Sequence, residues 1–308
     1  MDDPLDDADR RETLSSTLNL GRVEPPASSV YADFAARSHR GCVRRENDDH
    51  FLVFRFGRFQ ETLFTSLSSA DVPKRFEEGA YAAVVADGIG GGGAGGVASR
   101  VAIATLAHLA LRFGKWNMRI DPGTAAEIMD RSEWFYQYTN EAVLKRRREH
   151  PELARMATTL TAFYSAGPDL FVAHVGHSRC YLFRNGTLTQ LTSDHTLREH
   201  FTTSKYPAPV EQAREDLQHV LTGVIGVDLD PGVTVEHFQL AHDDGVLLCT
   251  NGLTDMVDDE VIADVLAARR SASEHCDHLI DLALANGGKD NVTAILAQYR
   301  VPTAERRS

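Results

Sequence analysis

Strand-like runs gather with strand-like runs in this sequence, and helical periodicities gather with one another, which predicts an α+β fold rather than alternating βαβ units. Three observations carry that expectation. Short runs rich in β-branched and aromatic residues fall at 30–37, 50–56 and 81–87, and again at 158–186. Two long helical patterns stand side by side between 95 and 148. Two shorter ones stand together at 258–270 and 274–286, just before a last apolar run, "NVTAILAQY".

Taken in order, residues 1–27 are acidic and then proline-marked ("EPPASS"), too polar to bury the surface that ordering requires, and read as a flexible tail. The folded domain is expected over 28–300, with a second short tail at 301–308. "VYADFAAR", "HFLVFRF" and "YAAVVAD" read as strands, with an irregular polar insertion over 58–79 between the second and third. "GGVASRVAIATLAHLALRF" reads as a helix. A second helix runs from Thr124 to Arg148 after the Asp121-Pro122-Gly123 break and ends in the basic run "KRRREH", which suits the negative end of the helix dipole. "TTLTAFYSA", "LFVAHVG" and "CYLFRNG" are antiparallel strands, the last closing at Asn185-Gly186, a dipeptide suited to a tight hairpin. A polar segment follows from His195 to His219, then the strands "VTVEHFQL" and "GVLLCT".

The chain has 308 residues, 43% of them hydrophobic, and a formal net charge of −12, which argues against a nucleic-acid partner. Cys42, Cys180, Cys249 and Cys276 form no CxxC pair, so reduced thiols in a cytoplasmic protein are expected, without zinc cluster or disulfide framework. No signal-like start is seen, and the apolar stretch "VAIATLAHLALRF" is taken as too short to span a bilayer, so no membrane association is expected.

The stretch "YAAVVADGIGGGGAGGVASR" contains GxGxxG at Gly88, Gly90 and Gly93 between a strand and a helix. A dinucleotide site also needs an acid about 20 residues further on, yet 100–120 holds none, and no Gly-Lys-Ser/Thr supports a P-loop. Asp87 therefore carries more weight than the glycines. It ends a buried-looking strand, where an unpaired carboxylate is costly. Asp48 and Asp49 precede one strand and Asp290 precedes the last; brought together, these acids make an oxygen-rich site for Mg²⁺ or Mn²⁺.

Read in order, "GCVRRENDD", "VVADGIGGGGAGGVAS", "TTLTAFYSAGPDLFVAHVGHSR", "LTSDH", "LTGVIG", "LLCTNGLTD" and "KDNVTAIL" resemble the motifs of the metal-dependent protein serine/threonine phosphatases of the PP2C type, from Ser38 to Tyr299. The resemblance implies an α-β-β-α four-layer sandwich, two antiparallel sheets flanked by helices, with metals at one edge. It implies that Asp87 bridges two Mn²⁺ or Mg²⁺ ions, that the Gly88 carbonyl joins one of them, that Asp290 holds one, and that Asp48 and Asp49 support the other. Arg44 takes the phosphate-binding position, while Arg45 faces solvent. The ions would acidify a shared water for attack on a phosphoprotein substrate by a monomeric enzyme. Residues 196–219 lie where the family carries a variable flap, and Asp194 and His195 match a supporting turn.

Two positions depart from the family. "GHSR" places His177, and "TNG" places Asn251, where metal-site aspartates are expected. Asn251 still offers a carbonyl oxygen, without charge. His177 either ligates an accessory third ion through nitrogen or merely hydrogen-bonds, the latter being the preferred expectation. The alternative function is a pseudophosphatase that binds phosphoproteins without efficient turnover. "GHSRC" is not a nucleophile elbow, because it joins two strands and lacks the last glycine. His275, Cys276 and His278 are expected on a solvated helix rather than around zinc.

Overall fold

In the computed structural model, residues 30–68, 71–115, 120–203, 217 and 219–301 are described. The tail expected at 1–27, and all but the first residue of the one expected at 301–308, lie outside them. Strands β1 (Tyr31–His39), β2 (His50–Glu61), β3 (Arg75–Ala86) and the short β4 (Gly88–Ile89) lead into helices α1 (Ala94–Phe113) and α2 (Pro122–Glu149). Then come β5 (Ala157–Thr158), β6 (Leu160–Ala166), β7 (Asp169–Val175), β8 (Arg179–Arg184), β9 (Thr187–Gln190) and the seven-residue α3 (Leu197–Thr203). The chain closes with β10 (Thr234–Gln239), β11 (Gly245–Cys249), α4 (Asn251–Thr254), α5 (Asp259–Ala267), α6 (Ala272–Ala285) and β12 (Val292–Arg300).

Two five-stranded sheets, ordered β1-β12-β11-β8-β9 and β10-β7-β6-β3-β2, are antiparallel throughout. Strand periodicity explains the layering. In β12, Ile295, Ala297 and Tyr299 point between the sheets with Tyr81, Val85, Phe163 and Val172 of the other sheet, while Val292, Ala294 and Leu296 point outward onto Ile262, Leu266, Cys276 and Leu279 of α5 and α6. On the other side, Ala98, Ala102 and Ile103 of α1 and Tyr136 and Val143 of α2 cover Val84, Ala86, Ala173 and Val175. The expected α-β-β-α sandwich is therefore present. Helix ends follow the sequence: Asp121 caps α2 by accepting from the Thr124 amide with Pro122 in the first turn, and Ser271 and Glu274 form a capping box on α6.

Several expectations need correction. The insertion expected over 58–79 is strand at its two ends: 58–61 and 75–79 extend β2 and β3 as one hairpin to the Glu61–Arg75 pair, held by Arg55–Glu77 and Arg58–Glu78 across the strands. Charged pairs with aromatics exposed between them hide a two-sided solvent-facing ribbon from a hydrophobicity reading. The polar segment after His195 contains α3. Helix α1 extends that 13-residue apolar stretch to 20 residues, which by length and composition alone is enough to cross a membrane; its small face, Ala94, Gly95, Ala98 and Ala102, packs in the core. His275 and Cys276 are buried in α6 rather than solvated, and Cys276 donates to the Ala35 carbonyl.

Candidate metal centre and active site

The sandwich ends all its relevant strands at one edge. His39 pairs with Val292, His50 with Ala86 and Cys249 with Ala294, so the ends of β1, β3 and β11 and the starts of β2 and β12 share that edge. The β7–β8 turn passes there from one sheet to the other and carries Gly176, His177 and Ser178.

Asp49 is 5% exposed at the start of β2, and its Oδ2 accepts hydroxyl hydrogens from Thr250 at 2.8 Å and Thr293 at 2.7 Å, both from the opposite sheet. Thr293 also bonds Ser38 of β1 at 2.8 Å, so a hydroxyl of the neighbouring strand braces one of the two that hold this carboxylate oxygen. The other oxygen, Oδ1, is buried without a hydrogen-bond partner. Burial pushes the Asp49 carboxyl up to about 7; the two hydroxyls oppose this, and Asp290 and Asp48 add to it.

Asp87 is fixed through its backbone. Its amide donates to Thr159 Oγ1 at 3.0 Å, and its carbonyl accepts from Thr158 Oγ1 at 2.8 Å and the Thr159 amide at 3.0 Å. Burial first, then Asp49 and Asp290, hold its carboxyl well above the usual range, while the Arg44 guanidinium opposes the rise. Asp87, Asp49 and Asp290 thus lie within each other's fields. Asp48 Oδ1 accepts from the Gly96 amide at 3.0 Å in the first turn of α1, and burial raises its carboxyl. Arg44 Nη2 pairs with Asp290 Oδ2 at 2.6 Å, and Arg45 is exposed. Asn291 clamps the loop that carries Arg44: its Oδ1 accepts from the Asp48 amide at 2.7 Å, and its Nδ2 donates to the Arg40 and Glu46 carbonyls.

Gly88 sits where chain segments touch. A Cβ there would lie 2.3 Å from the Gly95 carbonyl oxygen and 2.6 Å from that of Asp48, so the glycine permits backbone contact between the Asp87 turn, α1 and the Asp48 segment.

His177 and Asn251 form the neutral side of the centre. Each is 9% exposed. His177 Nδ1 is 3.9 Å from Asp87 Oδ2, beyond hydrogen-bond range, and has no hydrogen-bond partner. Burial lowers its pKa to about 4, with Asp194 opposing, so the ring is neutral at pH 7. Asn251 Nδ2 donates to Asp255 Oδ2 at 3.0 Å, leaving its buried Oδ1 unpartnered. Both line a polar cavity of about 250 Å³ with Arg179, Arg198, Glu199, His219 and Asp255. Asp194 does support the turn, accepting bidentately from Arg179 at 2.7–3.1 Å, while the His195 amide donates to the Gly176 carbonyl. An apolar cavity of about 130 Å³ under α1 and α2 lies elsewhere and has no acid in its wall.

These residues fit a divalent cation. Three buried polar atoms without partners, Asp49 Oδ1, His177 Nδ1 and Asn251 Oδ1, occupy one edge among hard oxygen donors, and burial, with repulsion from neighbouring carboxylates added, keeps Asp49 and Asp87 from ionising freely. Among the described residues no three His, Cys, Asp or Glu side chains are already closed into a cation cage. Asp290 is turned to Arg44, and Mg²⁺-like ions keep several waters, so direct approach of every carboxylate is not required.

The sequence reading missed the hydroxyl and amide supports: Thr158, Thr159, Ser178, Thr250, Thr293 and Asn291. The available signal was their place beside named site residues, in "TTL", "GHSR", "CTNG" and "KDNVT". Arg147 and Arg148, in the basic run, bond the Gly226 carbonyl and Asp228 and so anchor the "LTGVIG" loop in addition to ending α2.

The model of the family described as "Protein phosphatase 2C" matches residues 72–288. The chain is 34% identical over 266 residues to the serine/threonine protein phosphatase PstP of Mycobacterium tuberculosis, covering 86% of this chain and 44% of that protein, so it spans less than half of that relative's length. It is 31% identical over 271 residues to the serine/threonine phosphatase stp of Listeria welshimeri, covering 87% of this chain and 96% of that protein. Among solved structures, the catalytic domain of PstP in complex with 2 manganese ions superposes with a TM-score of 0.67 at 30% identity, over 88% of this chain and 100% of that one. The S. agalactiae serine/threonine phosphatase gives 0.71 at 25% identity, over 87% and 99%. With its sandwich, its acid-lined edge and these likenesses together, the chain belongs to the protein phosphatase 2C family.

Proposed function

We propose that the chain is a protein phosphatase that hydrolyses phosphoserine and phosphothreonine with Mn²⁺ or Mg²⁺ held by Asp48, Asp49, Asp87, Asp290 and the Gly88 carbonyl. One observation carries the reading: buried Asp49 and partly buried Asp87 both have carboxyls raised, first by burial and then by neighbouring carboxylates, at the edge where His177 and Asn251 line a polar cavity. Such a pair is stable as carboxylates only with added positive charge. The printed names of the relatives and the manganese in the PstP complex support the same reading.

When bound, the cations supply Lewis-acid chemistry, polarising phosphoryl oxygens and acidifying water. The chain's own residues do the rest. The Arg44 side chain is 56% exposed beside Asp290, and its planar fork binds phosphate oxygens and offsets charge that builds on them. Thr158 and Thr159 keep Asp87 from shifting along β3, and Asn291 keeps the Arg44 loop against Asp48. Arg179, Arg198 and His219 face the cavity where the residues flanking a phosphorylated side chain would lie.

A phosphothreonine peptide tests the proposal: Mn²⁺-dependent phosphate release is expected, and Asp87→Asn is expected to lose more than about 100-fold of it, the scale of removing one preorganised electrostatic contact. Equal, metal-independent release by both proteins overturns it. Binding without turnover is the second reading, favoured by the Arg44–Asp290 pair, which engages a phosphate-directed group and a metal carboxylate with each other. Mn²⁺ and peptide binding without phosphate release would select it.

A further inference from the structure

We propose that His177 supplies its Nδ1 to a cation beside Asp87, giving the centre a mixed nitrogen and oxygen donor set that takes first-row transition ions in preference to Mg²⁺. The inference rests on the metal-dependent reading above. Three observations carry it. His177 Nδ1 is buried and makes no hydrogen bond, so the preferred expectation of a hydrogen-bonding role has no partner to support it. Its 3.9 Å separation from Asp87 Oδ2 is too long for a hydrogen bond. Both atoms can reach one ion lying between them, roughly 2.0–2.2 Å from each, at an obtuse angle that a small turn of the ring would narrow. Lastly, the second unpartnered neutral donor, Asn251 Oδ1, lines the same cavity, with its amide oriented by Asp255.

The turn that presents His177 is rigid. Gly176 has φ 113°, and a Cβ there would meet Thr159 at 2.6 Å, so the backbone just before His177 lies against the threonine that also fixes Asp87. An imidazole nitrogen adds affinity along the series from Mn²⁺ to Co²⁺ and adds little for Mg²⁺, which favours oxygen and retains water. Replacing two aspartates by His177 and Asn251 also removes two negative charges, which weakens a hard ion most.

Pulsed electron paramagnetic resonance on Mn²⁺-loaded protein reads the ligand directly. The expected result is ¹⁴N coupling in the natural protein that is absent in His177→Ala and His177→Asp. Calorimetry is expected to show the Co²⁺ to Mg²⁺ affinity ratio falling about 10-fold or more in His177→Asp, the scale of changes around a metal ligand. Bound Mn²⁺ without ¹⁴N coupling in the natural protein, a result that needs no variant, overturns the inference and leaves the metal-dependent reading standing. Coupling that persists in His177→Ala does the same and points to His219, which faces the same cavity. A spectrum of free Mn²⁺ alone overturns both.

Discussion

Asp49 and His177 are both more than nine-tenths buried at the same edge of the sandwich, yet their surroundings differ in kind. Asp49 is bracketed by Thr250 and Thr293, hydroxyls delivered by adjacent strands of the facing sheet, and its burial leaves a charge seeking a cation. His177 stands on a turn between sheets, neutral, with a nitrogen aimed at no protein atom. The carboxylate side is therefore set by strand register, which only a change in the sheets alters. The neutral side is set by one turn and by α4, and it borders the cavity that α3 helps to line. Charge is laid down where the fold is stiffest, and ligand identity varies where a single side chain decides it.

The comparison breaks most severely if the backbone contact that joins the two sides, α4 against the residue leading into β12, is opened. A Cβ on Gly252 would lie 1.9 Å from the Asn291 carbonyl oxygen, in backbone that cannot retreat without moving β12. Gly252→Ala is expected to destabilise the protein by about 3 kcal/mol or more in urea unfolding, at or beyond the top of the usual overpacking range. Gly91→Ala, in the glycine loop, meets nothing within 4 Å and is expected within about 0.5 kcal/mol of the natural protein. Equal effects at the two sites would refute the claim that glycines here serve close approach at some positions and nothing at others.

That contrast also explains what the sequence disclosed. The strands of both sheets were legible because residues buried on alternate faces recur every second position, and Asn185-Gly186 marked its hairpin through positive φ at both residues. Asp48, Asp49, Asp87 and Asp290 were legible because a carboxylate at a buried strand end needs a reason. The long β2–β3 ribbon was not, since both its faces meet solvent and its stability comes from pairs such as Arg58–Glu78 that exist only in register. Thr250 and Thr293 were not, because a threonine in a strand is ordinary until its hydroxyl is seen against Asp49. His275 was misplaced on a solvated face, although its neighbours at the α5–α6 contact bury it completely.

Removing one bracket hydroxyl tests the carboxylate side at smaller scale. Thr293→Val keeps the shape and deprives both Asp49 Oδ2 and Ser38 of a partner. A loss of about 1–3 kcal/mol is expected for the metal-free protein, the range for a buried polar group left unsatisfied. No change in the urea midpoint would show that the hydroxyl is dispensable. On the neutral side, Asn251→Asp is expected to raise Mg²⁺ affinity about tenfold, well inside the roughly 4 kcal/mol bound for a partly screened charge contact. The same variant should destabilise the metal-free protein, because the new carboxylate faces Asp255. Calorimetric titration that finds unchanged Mg²⁺ affinity would remove Asn251 from the ligand set.

The mildest test uses pH. The Asp49 carboxyl rises from an ordinary 3.8 to about 7 on folding, and Asp87 rises in the same direction. Between those values the folded chain holds more protons than the unfolded one, so stability falls as pH increases. The contribution is complete below 3.8 and is lost as pH passes through about 7. Buried neutral histidines such as His174 and His177 add an opposite, rising component up to about pH 6.5, so the test is made against Asp49→Asn, which shares it: between pH 5.5 and pH 8 metal-free natural protein in chelator should lose melting temperature relative to that variant, by a few degrees. Saturating Mn²⁺ should flatten or reverse the slope, since the cation favours the ionised pair. Asp49→Asn removes the falling component that belongs to the carboxylate side, whereas His177→Ala removes a rising one and should leave the fall with pH steeper. A slope that survives Asp49→Asn and disappears with His177→Ala would assign the buried proton to the wrong half of the centre and dissolve the distinction between them.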